Sequence, residues 1–191
     1  MRLNDRRFEA VDVCGHTYRL RLTLKNVLTA MDVAGDNLLE DNDKAMTMLR
    51  LLVRWPRPHR ARAKVQLLEA VMRHIRGEES PSGGPDIVDL SQDAGLIRAS
   101  FLQAYGIDLE KTDIHWDKFI ELFQALPEDT ALGRVMAIRS APMPKASRYN
   151  KEAREKLARA KRAVALKKTV QSAQESADAM ASSILAMLGM R

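Results

Sequence analysis

A single cysteine, Cys14, among 191 residues has no partner for an internal disulfide, and it stands in no Cys/His spacing of the kind that builds a zinc site. The four histidines, His16, His59, His74 and His115, are dispersed, and glycine-rich phosphate loops are lacking. Neither a structural metal nor a cofactor is therefore expected. No apolar run approaches the roughly 18 residues that cross a bilayer, and the opening MRLNDRRFEA has no apolar signal-peptide core. A cytoplasmic protein without a membrane partner is the default that follows. Aromatic residues are scarce at 5%, so the place where they gather matters.

What is present is an ordinary globular composition, 46% hydrophobic, with a net charge of +6 that is placed unevenly. Residues 145–168 hold ten Lys/Arg against two Glu, leaving 21 basic and 23 acidic residues elsewhere. The basic character belongs to one segment and says nothing about the core.

Residues 7–22 alternate in the manner of strands: Phe8, Ala10, Val11 and Val13, a Cys14-Gly15-His16 turn, then Tyr18, Leu20 and Leu22 separated by Arg19 and Arg21. A β-hairpin with one apolar face is predicted. A lone hairpin is marginal in water, so it must lie on a helix or pair with strands of another chain. Thr23 is placed to cap a helix over 24–34 that turns Val27, Leu28 and Met31 inward and ends at Gly35. Asp41 to Asp43 open a second helix, with Met46, Leu49, Leu52 and Val53 inward, and Trp55-Pro56-Arg57-Pro58 stops it after Arg54. A third helix over 60–76 carries Val65, Leu68, Val71, Met72 and Ile75 as its stripe. The segment GEESPSGGP at 77–85 is the clearest linker, a candidate subdomain break over 77–86 within one domain of residues 1–144.

Five of the nine aromatic residues fall within 93–139. Ile97, Phe101 and Ala104 to Tyr105 form one helical stripe, and Trp116, Phe119, Ile120, Phe123 and Leu126 form another, so two helices are expected to bury facing sides. Gly106 stops the first as a left-handed C-cap, Thr112 or Asp113 caps the second, and Pro127 ends it. Glu128 and Asp129 are then expected in the first turn of a helix using Leu132, Val135 and Met136.

Residues 149–188 contain neither Gly nor Pro and are rich in strong helix formers. One long C-terminal helix of about 40 residues, about 60 Å, is predicted within a segment 145–191. Its first part is basic, with Lys156, Arg159, Lys161, Arg162, Lys167 and Lys168 prominent. Its second part spaces Ala163, Leu166, Val170, Ala173, Ala177, Met180, Ile184 and Met187 as a heptad seam that needs a partner helix. That partner is the chain's own body, another copy, or a different helical protein. The expected fold is thus mainly α: a multi-helix domain with a short N-terminal β-hairpin and a long C-terminal helix.

Several of these stretches carry a resemblance. SFLQAYGIDL, then HWDKF, a Leu-Pro-Glu-Asp-Thr junction, VMAIR and the Lys/Arg-rich run ending in Leu166 resemble the phage family called Gp-fifteen. The resemblance is good over 90–166 and holds only by layout before that. It singles out Phe101, Tyr105, Gly106, Asp108, His115, Trp116, Phe119 and Phe123 as motif residues. It implies a protein usually encoded between the major tail protein and the tape measure protein of long-tailed phages (siphoviruses), the place of a tail assembly chaperone. Such a protein binds the tape measure protein in the bacterial host cytoplasm, keeps it soluble and helps tail tube subunits gather, with a companion upstream chaperone as an open question. One departure is Asp117, where many relatives have a second tryptophan. It lies about 100° round the helix from Trp116, so an acid there is expected to stay in water.

Groups that could carry chemistry are weakly supported. His115 beside Trp116 and Asp113 has no nucleophile or cleft identifiable in sequence, and Asp108 suits a cap or turn better than a metal. Cys14 reads as a turn thiol. No enzyme is expected. The tract Arg54, Arg57, Arg60, Arg62 and Lys64 and the run from Lys151 to Lys168 read first as solvated surface, then as sites for an acidic protein or for nucleic acid. Nucleic acid is the weaker of these, because neither tract interleaves aromatics for stacking. Against the chaperone stand two alternatives: a structural virion component that uses the hairpin for strand addition, and a basic nucleic-acid-binding protein.

Overall fold

The computed structural model describes residues 8–76, 87–147 and 150–166. Among them are two antiparallel strands, β1 (Ala10–Val13) and β2 (His16–Arg19), and seven helices: α1 (Leu24–Gly35), α2 (Asp41–Leu52), α3 (Ala61–Arg76), α4 (Ala94–Tyr105), α5 (Trp116–Gln124), α6 (Ala131–Ser140) and α7 (Lys151–Ala163). The protein is mainly helical, as expected. Its chain forms two compact units, one from residues 8–76 and 113–120, the other from 87–112, 121–147 and 150–166. The linker expected at 77–86 lies outside the described residues.

In the first unit the hairpin turns on two residues. Cys14 and Gly15 take φ of 50° and 77°, the positive values whose twist matches that of flanking strands. His16, expected in the turn, instead pairs with Val13 as the first residue of β2. Val13 and Tyr18 are buried while Ala10 is exposed, so the apolar face is narrower than the alternation implied. The hairpin finds its cover within its own chain. β1 packs on α3, and past β2 the backbone runs beside the end of α2: Arg21 N–H donates to the Leu52 carbonyl, and Arg54 N–H to that of Arg19, both at 2.8 Å.

The Thr23 hydroxyl accepts from Asn26 N–H at 3.3 Å, which caps α1 as its sequence suggested. The inward line is Leu24, Val27, Ala30 and Ala34, not Leu28 and Met31, which are half-buried. Two alanines on that line let α1 approach α2 closely. On α2 the buried side includes Met48, Leu49 and Leu52, with Met46 half-buried; on α3 it includes Leu67, Leu68, Val71, Met72 and Ile75, with Val65 half-buried. Each such Leu or Val contributes about 1.5–3 kcal/mol by leaving water.

Thr112 and Asp113 do not cap α5, which begins at Trp116. The backbone before it is extended and pairs with the start of α1: Leu24 N–H donates to the Ile114 carbonyl (2.8 Å), and Trp116 N–H to that of Leu22 (2.7 Å). Trp116 and Phe119 stack at 5.6 Å between ring centres and are buried in the first unit, whereas Ile97 and Phe101 are the buried apolar residues of α4 in the second.

In the second unit α4 packs on α6 and ends at Gly106, whose φ of 65° gives the left-handed C-cap expected. Two of the free N–H groups at the start of α6 are taken by hydroxyls: Gly133 N–H donates to Thr130 Oγ1 (3.1 Å) and Leu132 N–H to Ser100 Oγ (3.0 Å). Thr130 itself donates to the Pro127 carbonyl (2.7 Å), a turn that leaves Glu128 and Asp129 ahead of the cap and not in the first helical turn. This turn brings backbone against Gly133. A Cβ there would lie 2.6 Å from the Pro127 carbonyl oxygen and 2.8 Å from Glu128 Cα. Gly133→Ala is expected to destabilise by about 1–3 kcal/mol through overpacking, read as a lower urea midpoint at unchanged slope. A midpoint equal to or above the wild type contradicts the close approach.

The single 40-residue C-terminal helix is not found. α7 stops at Ala163, and Val164 leaves helical geometry with φ −108° and ψ 8°. Its carbonyl accepts from Arg139 Nε at 2.6 Å, a side-chain cap on a carbonyl group that a continuing helix would have used internally. Residues from 167 onward, and with them most of the predicted heptad seam, lie outside the described residues.

Candidate partner-binding surface

The motif residues are mostly structural. Phe101 is fully buried, Tyr105 donates its hydroxyl to the Leu122 carbonyl (2.8 Å), and Phe123 is half-buried. Asp108 shapes the turn after α4, accepting from Glu110 N–H (3.0 Å) and pairing with Lys111 (3.1 Å). The Lys111 hydrogen bond, with the Glu110 amide, holds its carboxyl below the usual range. Trp116 donates its indole N–H to the Ile75 carbonyl (3.2 Å), so it caps the last turn of α3.

Asp117 does not stay in water as expected; its side chain is 12% exposed. Its Oδ1 lies 2.7 Å from His74 Nε2, and its Oδ2 accepts from Phe8 N–H (3.1 Å), while Phe8 stacks on His74 at 4.0 Å. Asp117 N–H also donates to His115 Nδ1 at 3.2 Å. Helical angle places a residue relative to its own stripe only. Here α3 and the chain before β1 supply a second wall, so an acid at this position is a tie and not a solvated residue. Among the described residues no group of three or more His, Cys, Asp or Glu is placed to hold a metal, and no helix is long and apolar enough to cross a membrane.

The predicted basic patch sits on α7. Lys156, Arg159 and Arg162 are exposed, whereas Lys161 is half-buried and donates to the Arg139 carbonyl (2.7 Å), capping the last turn of α6. Lys167 and Lys168 lie outside the described residues. Of the seam, Leu166 is half-buried, and Val170, Ala173, Ala177, Met180, Ile184 and Met187 lie outside them.

A second basic surface joins Arg54 and Arg57, the start of the tract read from the sequence, to arginines that the sequence did not link to them. The pairing of Leu20 with Val53 brings the alternating Arg19 and Arg21 to Arg50, Arg54 and Arg57. Arg21 Nη2 and Arg57 Nη2 both donate to the Arg50 carbonyl, at 2.9 and 3.2 Å. Trp55, 74% exposed, stands beside them in the chain. The sequence offered Arg19 and Arg21 only as the polar side of a strand.

The family model described as Bacteriophage Gp15 protein matches residues 3–166. The chain belongs to this family. It is thus a bacteriophage protein, and the match reaches through the hairpin and α1 to α3, where the motifs had offered only a resemblance of layout. The Gp15 span ends with the half-buried Leu166, so the rest of the seam lies beyond it. No curated protein matches the chain, and no solved structure does.

Proposed function

We propose that this Gp15 protein is a non-enzymatic tail assembly chaperone that binds the tape measure protein of a long-tailed phage in the host cytoplasm and promotes tail tube assembly. Family membership carries the reading. The exposed cations of α7 support it, since Lys156, Arg159 and Arg162 present a positive helix face that draws in acidic stretches of a long helical client. The heptad seam that follows in the sequence supplies apolar residues for helix-in-groove capture, with Met180 and Met187 able to adapt to varied client surfaces.

The test is co-expression with the tape measure protein, followed by size-exclusion chromatography with light scattering. A soluble complex holding several copies of this chain per client is the expected result. Met180→Asp with Ile184→Asp is expected to send nearly all of the client to the pellet while circular dichroism and unfolding midpoint stay at wild-type values. Full solubilisation by that variant sinks the seam as the capture site. A client insoluble in the presence of wild-type protein, together with stoichiometric amounts of this chain in purified virions, replaces the chaperone with a structural virion component.

A further inference from the structure

Opposite, unpaired charges sit at the two ends of α2, each beside an exposed apolar side chain. Before its N-terminus Leu38 is 94% and Leu39 38% exposed, with Glu40 there and Asp43 in the first turn also in solvent. Leu38 N–H donates to Asp36 Oδ1 (2.8 Å), so the loop that holds the leucine out has a fixed turn. At the C-terminal end lie Arg50 in the last turn and, past it, Arg54, Arg57, Arg19 and Arg21 with the exposed Trp55. Among the described residues no carboxylate lies within ion-pair distance of these five arginines, and no cation within that distance of Glu40 or Asp43.

The 12-residue helix rises about 18 Å, and even its inner charges, Asp43 and Arg50, stand about 10 Å apart along it, against a screening length of about 8 Å in physiological salt. The two ends cannot neutralise each other within one molecule. Arginines next to an exposed tryptophan in the chain have the composition of an interface hot spot, and their forks match carboxylates two donors at a time. The complement, leucine flanked by carboxylates, is present on the same chain, facing a neighbour at the opposite end of the same helix. We propose that the protein associates head to tail with copies of itself, the stretch from Leu38 to Asp43 at the start of α2 in one copy seating on the Trp55 arginine cluster of the next. Because the two surfaces differ, each added copy leaves one of each free, and the assembly grows as a ring or an open row. This does not depend on the client-capture reading and is tested on the chain alone.

Two variants each disable one surface at exposed positions: Arg50→Ser with Arg54→Ser, and Leu38→Ser with Glu40→Gln. Sedimentation velocity of the full wild-type chain is expected to show mass rising with concentration and falling in about 1 M salt, where screening acts within about 3 Å. Either variant alone is expected to associate at least about tenfold more weakly. Mixed in equal amounts, the two retain one intact pair of surfaces and are expected to stop at a dimer. A wild-type chain monomeric at every concentration overturns the proposal. So does association that both variants leave unchanged, which places the contact elsewhere. Binding of a single-stranded oligonucleotide by the arginine cluster in a chain that never self-associates overturns it in favour of a nucleic-acid site.

Discussion

Arg139→Ala is expected to lower the stability of the second unit by about 3–5 kcal/mol, the loss typical of a buried ion pair deprived of one partner. Arg139 and Asp93 have side chains 11% and 4% exposed. The guanidinium meets the carboxylate through two bonds, Nη1 to Oδ2 at 2.6 Å and Nη2 to Oδ1 at 2.9 Å. It also donates to the Ile87 carbonyl (2.7 Å) and the Val164 carbonyl (2.6 Å), so one side chain ties the start of the unit, α4, α6 and the end of α7. Alanine leaves a buried carboxylate without its counter-ion and two carbonyls without the guanidinium donor. The pair itself need not be stabilising relative to an apolar core, so Arg139→Met combined with Asp93→Leu is expected to cost less than Arg139→Ala alone.

Acid supplies an independent check on this pair. The Arg139 hydrogen bond, helped by the Asp89 amide, holds the Asp93 carboxyl below its usual range against burial, which pushes it up. A carboxyl depressed in the folded state adds stability above its unfolded pKa of about 3.9 and loses that contribution as pH falls through the folded value. The gap between wild type and Arg139→Ala in urea midpoint is therefore expected to be full at neutral pH and to narrow below about pH 4. A neutral-pH loss under about 1 kcal/mol, the scale of an exposed pair, contradicts the buried tie.

Local signals in this chain were readable because their causes are local. Thr23 caps α1 with its own hydroxyl, Gly106 takes the left-handed turn that only its missing Cβ makes cheap, and the stripe of α3 follows from a 3.6 period. The misreadings share the opposite property. α5 starts at Trp116 because residues 113–116 pair with 22–24, about ninety positions away in sequence, and no propensity in Thr112 or Asp113 reports that. Likewise α7 stops where Arg139 caps it, although composition favours continuation. Asp117 was given a solvent role by its angle and instead faces a segment brought in by the tertiary fold, while Arg19 and Arg21 stay exposed as their alternation implies, beside Arg50 and Arg54 to which no sequence pattern linked them. The family motif, in turn, encodes turns and core of both units. Its recognition reached the family without locating a partner surface, and the surfaces proposed above for self-association fall on residues the motif does not contain.

Replacing Trp116 is expected to have the other large effect, and two substitutions separate its causes. Trp116→Ala removes a side chain 4% exposed that stacks on Phe119, leaving a cavity worth about 3–5 kcal/mol. Trp116→Phe keeps most of the ring volume and loses the indole N–H, which donates to the Ile75 carbonyl. That contact is buried, so the acceptor that loses its indole donor costs about 1–3 kcal/mol. The alanine variant is thus expected to unfold at distinctly lower urea than the phenylalanine one, and both below wild type. Emission separates the two tryptophans, because Trp55 is 74% exposed. In Trp116→Phe the remaining emission is expected to be that of a solvated indole and nearly unchanged on unfolding, while the wild type shifts to the red. Amide exchange at the C-terminal turn of α3 then decides whether the indole acts as its cap. Faster exchange there in Trp116→Phe, with the rest of α3 still protected, is the expected pattern, and unchanged exchange rules the cap out.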